Sequence, residues 1–210
     1  MHIPENIQPE LQLRTAELIA AGQSLYALGM VPATSGNFSA RLSSGHLAIT
    51  VSGCHKGRLQ EENIMLVDAQ GGTLDGRRSS AETGLHVQIY RRFPEARAIL
   101  HPHSVNATLL SRLNQGHLVL QDYEILKAFP GINTHDCSVV VPIFDNDQDI
   151  VRLAENVDQY VEAEGNIHGY LIKGHGFYTW GNSVEDALRH VEAFEFLFDC
   201  ELRMRGATKS

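Results

Sequence analysis

His101 and His103 stand one residue apart, directly after the apolar run Ala98-Ile99-Leu100. If that run is a strand, residues two apart project to the same face, and the two imidazoles reach one ion. Pro102 between them cannot donate a ladder hydrogen bond, which places the pair at a strand end or edge, where sites are normally built. A third imidazole, His175, follows the apolar run Leu171-Ile172 and is flanked by Gly174 and Gly176, residues that permit close backbone approach. Three His ligands with an open fourth position describe a catalytic rather than a structural zinc site. The alternative is that these are loop or packing histidines without a metal, and an H-x-H pair alone does not exclude it. The chain carries eleven histidines, and His2, His46, His55, His86, His117, His135, His168 and His190 read as surface or packing residues.

The elements that must position these rings follow from periodicity. Leu11, Leu18, Ile19, Gly22 and Leu25 fall at helical spacing within residues 9–29, and Gly29 followed by Pro32 ends that helix. Residues 32–39 form a turn-rich stretch, and strands are expected at 47–51 and 64–67. Leu85, Ile89 and Phe93 share one face of a helix over 81–93 that stops at Pro94. Ala98 to His101 reads as a buried strand, 105–113 as a short helix, 123–129 as another, 138–143 as a β-branched strand and 150–161 as a helix. A strand over 168–172 precedes Ser183-Val184-Glu185-Asp186, a capping box ahead of a helix faced by Val184, Ala187, Leu188, Val191, Phe194 and Phe198. Phe194, Phe196 and Phe198 give that helix apolar surface on more than one side, which suits an interface or a deep core. Strands interleave with helices throughout and no repeat or linker divides residues 1–210, so a single α/β (α+β) domain with helices on a central sheet is expected.

Seventeen basic against twenty-five acidic side chains, a net charge of −8, disfavour binding to nucleic acid, which needs clustered Lys and Arg. The longest apolar runs are only a few residues, far short of a membrane span, so no membrane partner is expected. The first six residues show no basic and then apolar leader, which makes the cytoplasm the expected compartment. Cys54, Cys137 and Cys200 are odd in number and widely spaced, so they predict neither a disulfide framework nor a cysteine-built zinc site.

Six motifs in order carry a family resemblance: Thr34-Ser35-Gly36-Asn37-Phe38-Ser39; Thr50-Val51-Ser52-Gly53 with Lys56-Gly57; Ser79-Ser80-Ala81-Glu82-Thr83; His101-Pro102-His103-Ser104; Gln121-Asp122-Tyr123-Glu124-Ile125-Leu126-Lys127; and residues 173–181 around His175. Together they resemble the class II aldolase/adducin family, and the segments around Glu124 and His175 resemble its sugar-phosphate dehydratases. The resemblance implies a central mixed, largely antiparallel sheet covered by helices on both faces. It implies one zinc ion per subunit on His101, His103 and His175, and a homotetramer with active sites near subunit boundaries.

The implied substrate is a phosphorylated ketose bearing a methylthio group, which loses water to give a 2,3-diketo phosphate in methionine salvage. The resemblance makes Glu124 the acid/base, and its neighbours Tyr123, Ile125 and Leu126 form an apolar setting expected to raise a carboxyl pKa. Glu82 is implied as a second catalytic residue, open between assisting, orienting and ligating. The loops with Ser35, Gly36, Asn37, Ser52 and Gly53, and the segment with Ser79 and Ser80, are implied to hold the phosphate, as small residues let backbone N–H groups approach an anion. Lys127 would add positive potential from the Glu124 helix face. Trp180 and Tyr178 read either as packing or as a wall for the methylthio tail. Two other activities stay open: an aldolase or epimerase of the same family acting on fuculose, rhamnulose or ribulose phosphates, and a non-catalytic scaffold like the adducin head.

Overall fold

The computed structural model of the chain describes residues 7–207. In chain order its elements are α1 (Gln8–Ala27), β1 (Asn37–Arg41), β2 (Leu47–Thr50), β3 (Ile64–Val67), α2 (Thr83–Arg92), β4 (Ala98–His101), α3 (Val105–Leu113), β5 (His117–Gln121), β6 (Ser138–Phe144), α4 (Ile150–Glu164), β7 (Gly169–Ile172), β8 (Gly176–Gly181) and α5 (Val184–Ala207). The strands form one sheet in the order β3-β2-β1-β4-β8-β7-β6-β5. Neighbouring strands are antiparallel except β6 with β7, which run parallel. The expected mixed, largely antiparallel sheet is therefore present.

Strand β4 shows why helices cover both faces. Successive side chains of a strand point to opposite sides, and on β4 both sides are apolar. Ala98 and Leu100 join a core with Phe38 and Ala40 of β1 and Phe177 of β8, closed by Leu18 and Leu25 of α1, Leu110 of α3 and Phe194 and Phe198 of α5. Ile99 joins a second core with Ile49, Met65, Tyr178 and Trp180, closed by Leu85 and Ile89 of α2 and Leu153, Val157 and Val161 of α4. Each fully buried Leu, Ile or Phe contributes about 1.5–3 kcal/mol, so the central strands are anchored from both sides. Phe194 and Phe198 lie in the core while Phe196 is exposed.

Some expectations change. Strands β1, β5 and β8 were not anticipated, and β1 occupies the end of the stretch read as turns. The helix expected over 123–129 is a five-residue 3-10 helix, Glu124–Ala128. Trp180 stacks on Phe93 at 4.4 Å between ring centroids, and Tyr178 stacks on Tyr170 at 5.0 Å, so both rings are core packing. The Ser183 cap forms, its Oγ accepting from Asp186 N at 3.0 Å. Among the described residues no helix is long and apolar enough to cross a membrane. His2 and the rest of residues 1–6 lie outside the described residues.

Candidate metal centre

Strand β4 ends at His101, opposite Asn37 at the start of β1, and His103 follows on the irregular segment beyond it. His175 sits in the tight turn joining β7 to β8, where Gly174 takes a φ of +66°. Gly176 then lets the 102–103 segment press against β8: a Cβ there would collide with the Pro102 carbonyl oxygen and lie 3.0 Å from His103 Cδ2 and 3.2 Å from His101 Cε1. A turn held by Thr83 N and Oγ1 bonding to the Ser80 carbonyl, at 3.1 and 2.8 Å, starts α2 two residues later than expected. Glu82 is left at the helix N-cap with its carboxylate free of the helix backbone.

These segments bring four side chains together. One donor atom each from Glu82, His101, His103 and His175 lie within 4.8 Å of one another. The two Nε2 atoms of His101 and His103 are 2.8 Å apart. Glu82 lies 3.5 Å from His101 Nε2 and 3.6 Å from His175 Nε2. Two ligands on tetrahedral vertices with ~2.0 Å bonds sit ~3.3 Å apart, so this spacing fits a divalent ion. The donor chemistry fits as well. His101 donates Nδ1–H to the Phe177 carbonyl at 2.8 Å, which directs the bare Nε2 into the cluster, the usual orienting contact of a metal-bound imidazole. Burial, reinforced by the neighbouring His175, keeps His101 well below the ordinary imidazole pKa. Burial and then His101 push His103 down to about 2. Neutral imidazoles are the form that binds metal.

Two loops contact the cluster directly, and a third adjoins one of them. The Asn37 amide nitrogen donates to Glu82 Oε2 at 2.7 Å and to Ser80 Oγ at 3.4 Å. Val51 pairs with Ser79, and Ser52 N donates to the Arg78 carbonyl at 3.3 Å. Gly36, at φ +76°, backs onto the His101 carbonyl, where a Cβ would sit 2.6 Å away. Gly53 has φ +76° and open space where a side chain would be. Ser35, Gly36, Asn37, Ser52, Gly53, Ser79 and Ser80 thus lie on three adjoining segments, of which that of Asn37 bonds directly to Glu82 of the cluster. Ser35 Oγ is buried without a hydrogen-bond partner among the described residues.

Glu124 and Lys127 do not join them. Lys127 Nζ donates to Glu124 Oε1 at 2.6 Å, His135 Nδ1 is 3.7 Å from Oε2, and the Glu124 side chain is 73% exposed. The expected apolar setting is absent because the 3-10 turn buries only Leu126. Lys127 holds the Glu124 carboxyl below its ordinary value rather than raising it.

Two residues without an assigned role prove central. Lys56 is 1% exposed, and its Nζ donates to the Thr34 carbonyl at 3.2 Å and the Cys54 carbonyl at 2.8 Å, tying two of the loops together. Of the described lysines, Lys127 and Lys173 form ion pairs and Lys56 does not. His86, read from sequence as a surface or packing residue, is fully buried and hydrogen-bonded to Asn37 and Ser39. Burial takes it down to about 4, so it is neutral at pH 7.

Known proteins resemble this chain in sequence and fold. The Class II Aldolase and Adducin N-terminal domain matches residues 16–202. A methylthioribulose-1-phosphate dehydratase of Methylococcus capsulatus is 62% identical over 200 residues, 95% of this chain and 98% of its own length. The protein of that name from Pseudomonas savastanoi is 55% identical over 194 residues, covering 91% and 95%. In fold, the L-fuculose-1-phosphate aldolase of Thermus thermophilus aligns with TM-score 0.77 at 27% identity, over 95% of this chain and 99% of that one. With a family model matched over residues 16–202 and a relative 62% identical over 95% of this chain's length, the chain belongs to the class II aldolase and adducin family.

Proposed function

We propose that this chain is a zinc-dependent dehydratase that converts 5-methylthioribulose 1-phosphate to 2,3-diketo-5-methylthiopentyl 1-phosphate and water, a step of methionine salvage. The observation that carries the reading is the convergence of Glu82, His101, His103 and His175 on one point, in a chain 62% identical to a relative of that name. His101, His103 and His175 would hold the ion, one per subunit, and Glu82 faces the position left open. Zinc bound there would supply a Lewis acid that stabilises negative charge developing on the substrate, worth several kcal/mol.

The remaining work belongs to the chain. The small-residue loops at 35–37, 52–53 and 79–80 take the phosphate, because small side chains let an anion approach the backbone. Lys56, buried between two of them and lacking a carboxylate, supplies the positive charge that the acidic composition does not. A carboxylate removes the C3 proton, the C4 hydroxyl leaves as water after gaining a proton, and the resulting enol becomes the diketone. Such proton transfer is worth ~10²–10⁴-fold. Glu82 stands at the centre within its own chain. Glu124 carries the proton from a neighbouring copy, since on its own chain it pairs with Lys127 and His135 at the surface. This reading requires a homotetramer whose sites lie between copies.

Incubating purified protein with 5-methylthioribulose 1-phosphate and, separately, with fuculose 1-phosphate tests the reading. A dicarbonyl formed without carbon–carbon cleavage is expected. Dihydroxyacetone phosphate released from the fuculose ester, with no dehydration of the methylthio sugar, would make it an aldolase instead.

A further inference from the structure

Along the buried face of α2, Glu82, His86 and Tyr90 recur every four residues, while Asn37, Ser39 and Arg41 recur every two along β1. Four helical residues rise ~6 Å and two strand residues ~6.6 Å, so the two series stay in step over three rungs. The contacts follow those rungs. Glu82 meets Asn37, His86 meets both Asn37 and Ser39, Tyr90 meets Ser39, and the Arg41 guanidinium lies over the Tyr90 ring, 4.9 Å from its centroid. Asn37, Ser39, His86 and Tyr90 are at most 5% exposed. Their neighbours Leu85, Ile89 and Ile99 are apolar. A buried polar series of this kind is costly unless every member is satisfied.

The chain of bonds has one direction. An ionised Glu82 carboxylate only accepts, so the Asn37 atom 2.7 Å from it is the amide nitrogen. Asn37 Oδ1 then faces His86 Nε2, which must carry the proton. His86 Nδ1 is therefore bare and accepts from the Ser39 hydroxyl at 2.6 Å, and Ser39 Oγ accepts in turn from Tyr90 O–H at 2.9 Å. We propose that His86 is a positioning residue: as its Nε2–H tautomer it locks the Asn37 amide with the NH₂ toward Glu82, and so aims the Glu82 carboxylate at the three histidines. The inference rests on the reading of the Glu82, His101, His103 and His175 cluster as the catalytic centre.

Ring-nitrogen NMR of the full-length protein with ¹⁵N-labelled histidine decides the tautomer, the His86 signal being the one lost in His86→Gln. A protonated, slowly exchanging Nε2 and a bare Nδ1 are expected with and without chelator. A protonated Nδ1 overturns the proposal. Two variants then separate positioning from packing. A Gln amide nitrogen reaches about where Nε2 lies and can still donate to Asn37; an Asn amide reaches only the Nδ1 position. His86→Asn should lower kcat by ~10–100-fold, the usual cost of losing an outer contact at a metal site, with little change in KM. It should also alter the visible spectrum of the cobalt-loaded protein, and His86→Gln should recover most of both. Equal effects of the two variants on kcat and spectrum would overturn the proposal. If the wild type binds no cobalt, the metal reading fails, while the ring-nitrogen pattern still decides the tautomer on which the proposal stands.

Discussion

Gly176→Ala is the most economical perturbation of the centre, because it adds one methyl group and replaces no proposed ligand. The backbone at Gly176 is ordinary strand, so no strain arises from φ and the effect is steric. The new Cβ would overlap the Pro102 carbonyl oxygen and approach His103 Cδ2 and His101 Cε1 to 3.0 and 3.2 Å. Comfortable separation requires the 102–103 segment to retreat by about 1 Å. Metal–nitrogen bonds tolerate only ~0.2 Å, so the retreat exceeds what the site can absorb. Overpacking of this kind costs ~1–3 kcal/mol of stability, which leaves a sheet anchored by two cores folded. Zinc affinity, read by competition with a chromophoric chelator, should fall at least ~10–100-fold, while the urea midpoint falls modestly. A variant that binds zinc like the wild type would refute the claim that the contact of β8 with the 102–103 segment sets the spacing of the rings.

Protomers carrying Glu124→Gln and protomers carrying His101→Ala should each be nearly inactive and should regain turnover when unfolded and refolded together. Recovery indistinguishable from the separate variants would place Glu124 outside the neighbouring site. Lys56→Met should weaken inorganic phosphate binding by ten-fold or more, since a unit charge about 5 Å away at an effective dielectric constant of ~20 is worth ~3 kcal/mol; an unchanged phosphate titration would remove Lys56 from that role. His168, stacked on Phe129 at 5.1 Å, is pushed from 6.5 to about 4 by burial and then by His190. Between those values the unfolded chain binds the proton and the folded chain does not, so stability is complete above pH 6.5 and falls toward pH 4. The loss is about 3 kcal/mol, and a plot of urea midpoint against pH should be flatter for His168→Gln. Parallel plots for variant and wild type would contradict this account.

The convergence of the three histidines was legible because strand ends and glycine turns announce themselves locally: His101 and His103 follow an apolar run, and His175 sits between two glycines. The helices and five of the eight strands were legible because apolar periodicity reports burial, whereas the cover of helices on both faces was implied by the family resemblance. The apolar setting expected for Glu124 is absent because neighbours in sequence are not neighbours in space, and a 3-10 turn left Ile125 38% exposed beside it.

Strand β1 and His86 were missed for one shared reason. Binary patterning assigns polar residues to the solvent side, so Asn37, Ser39 and Arg41 made β1 look like a continued turn, and His86 looked like an ordinary helix residue. In the fold these polar residues face inward, because each finds its partner across the interface. The pattern was nonetheless in the chain: polar positions spaced by two in one segment and by four in another, with Glu82 at the head of the helical series and Asn37 at the head of the strand series. A strand rung and a helix turn have nearly equal pitch. Two polar series with those spacings can therefore satisfy each other in a core where either alone would be destabilising, and here the paired series ends at the carboxylate that faces the three histidines.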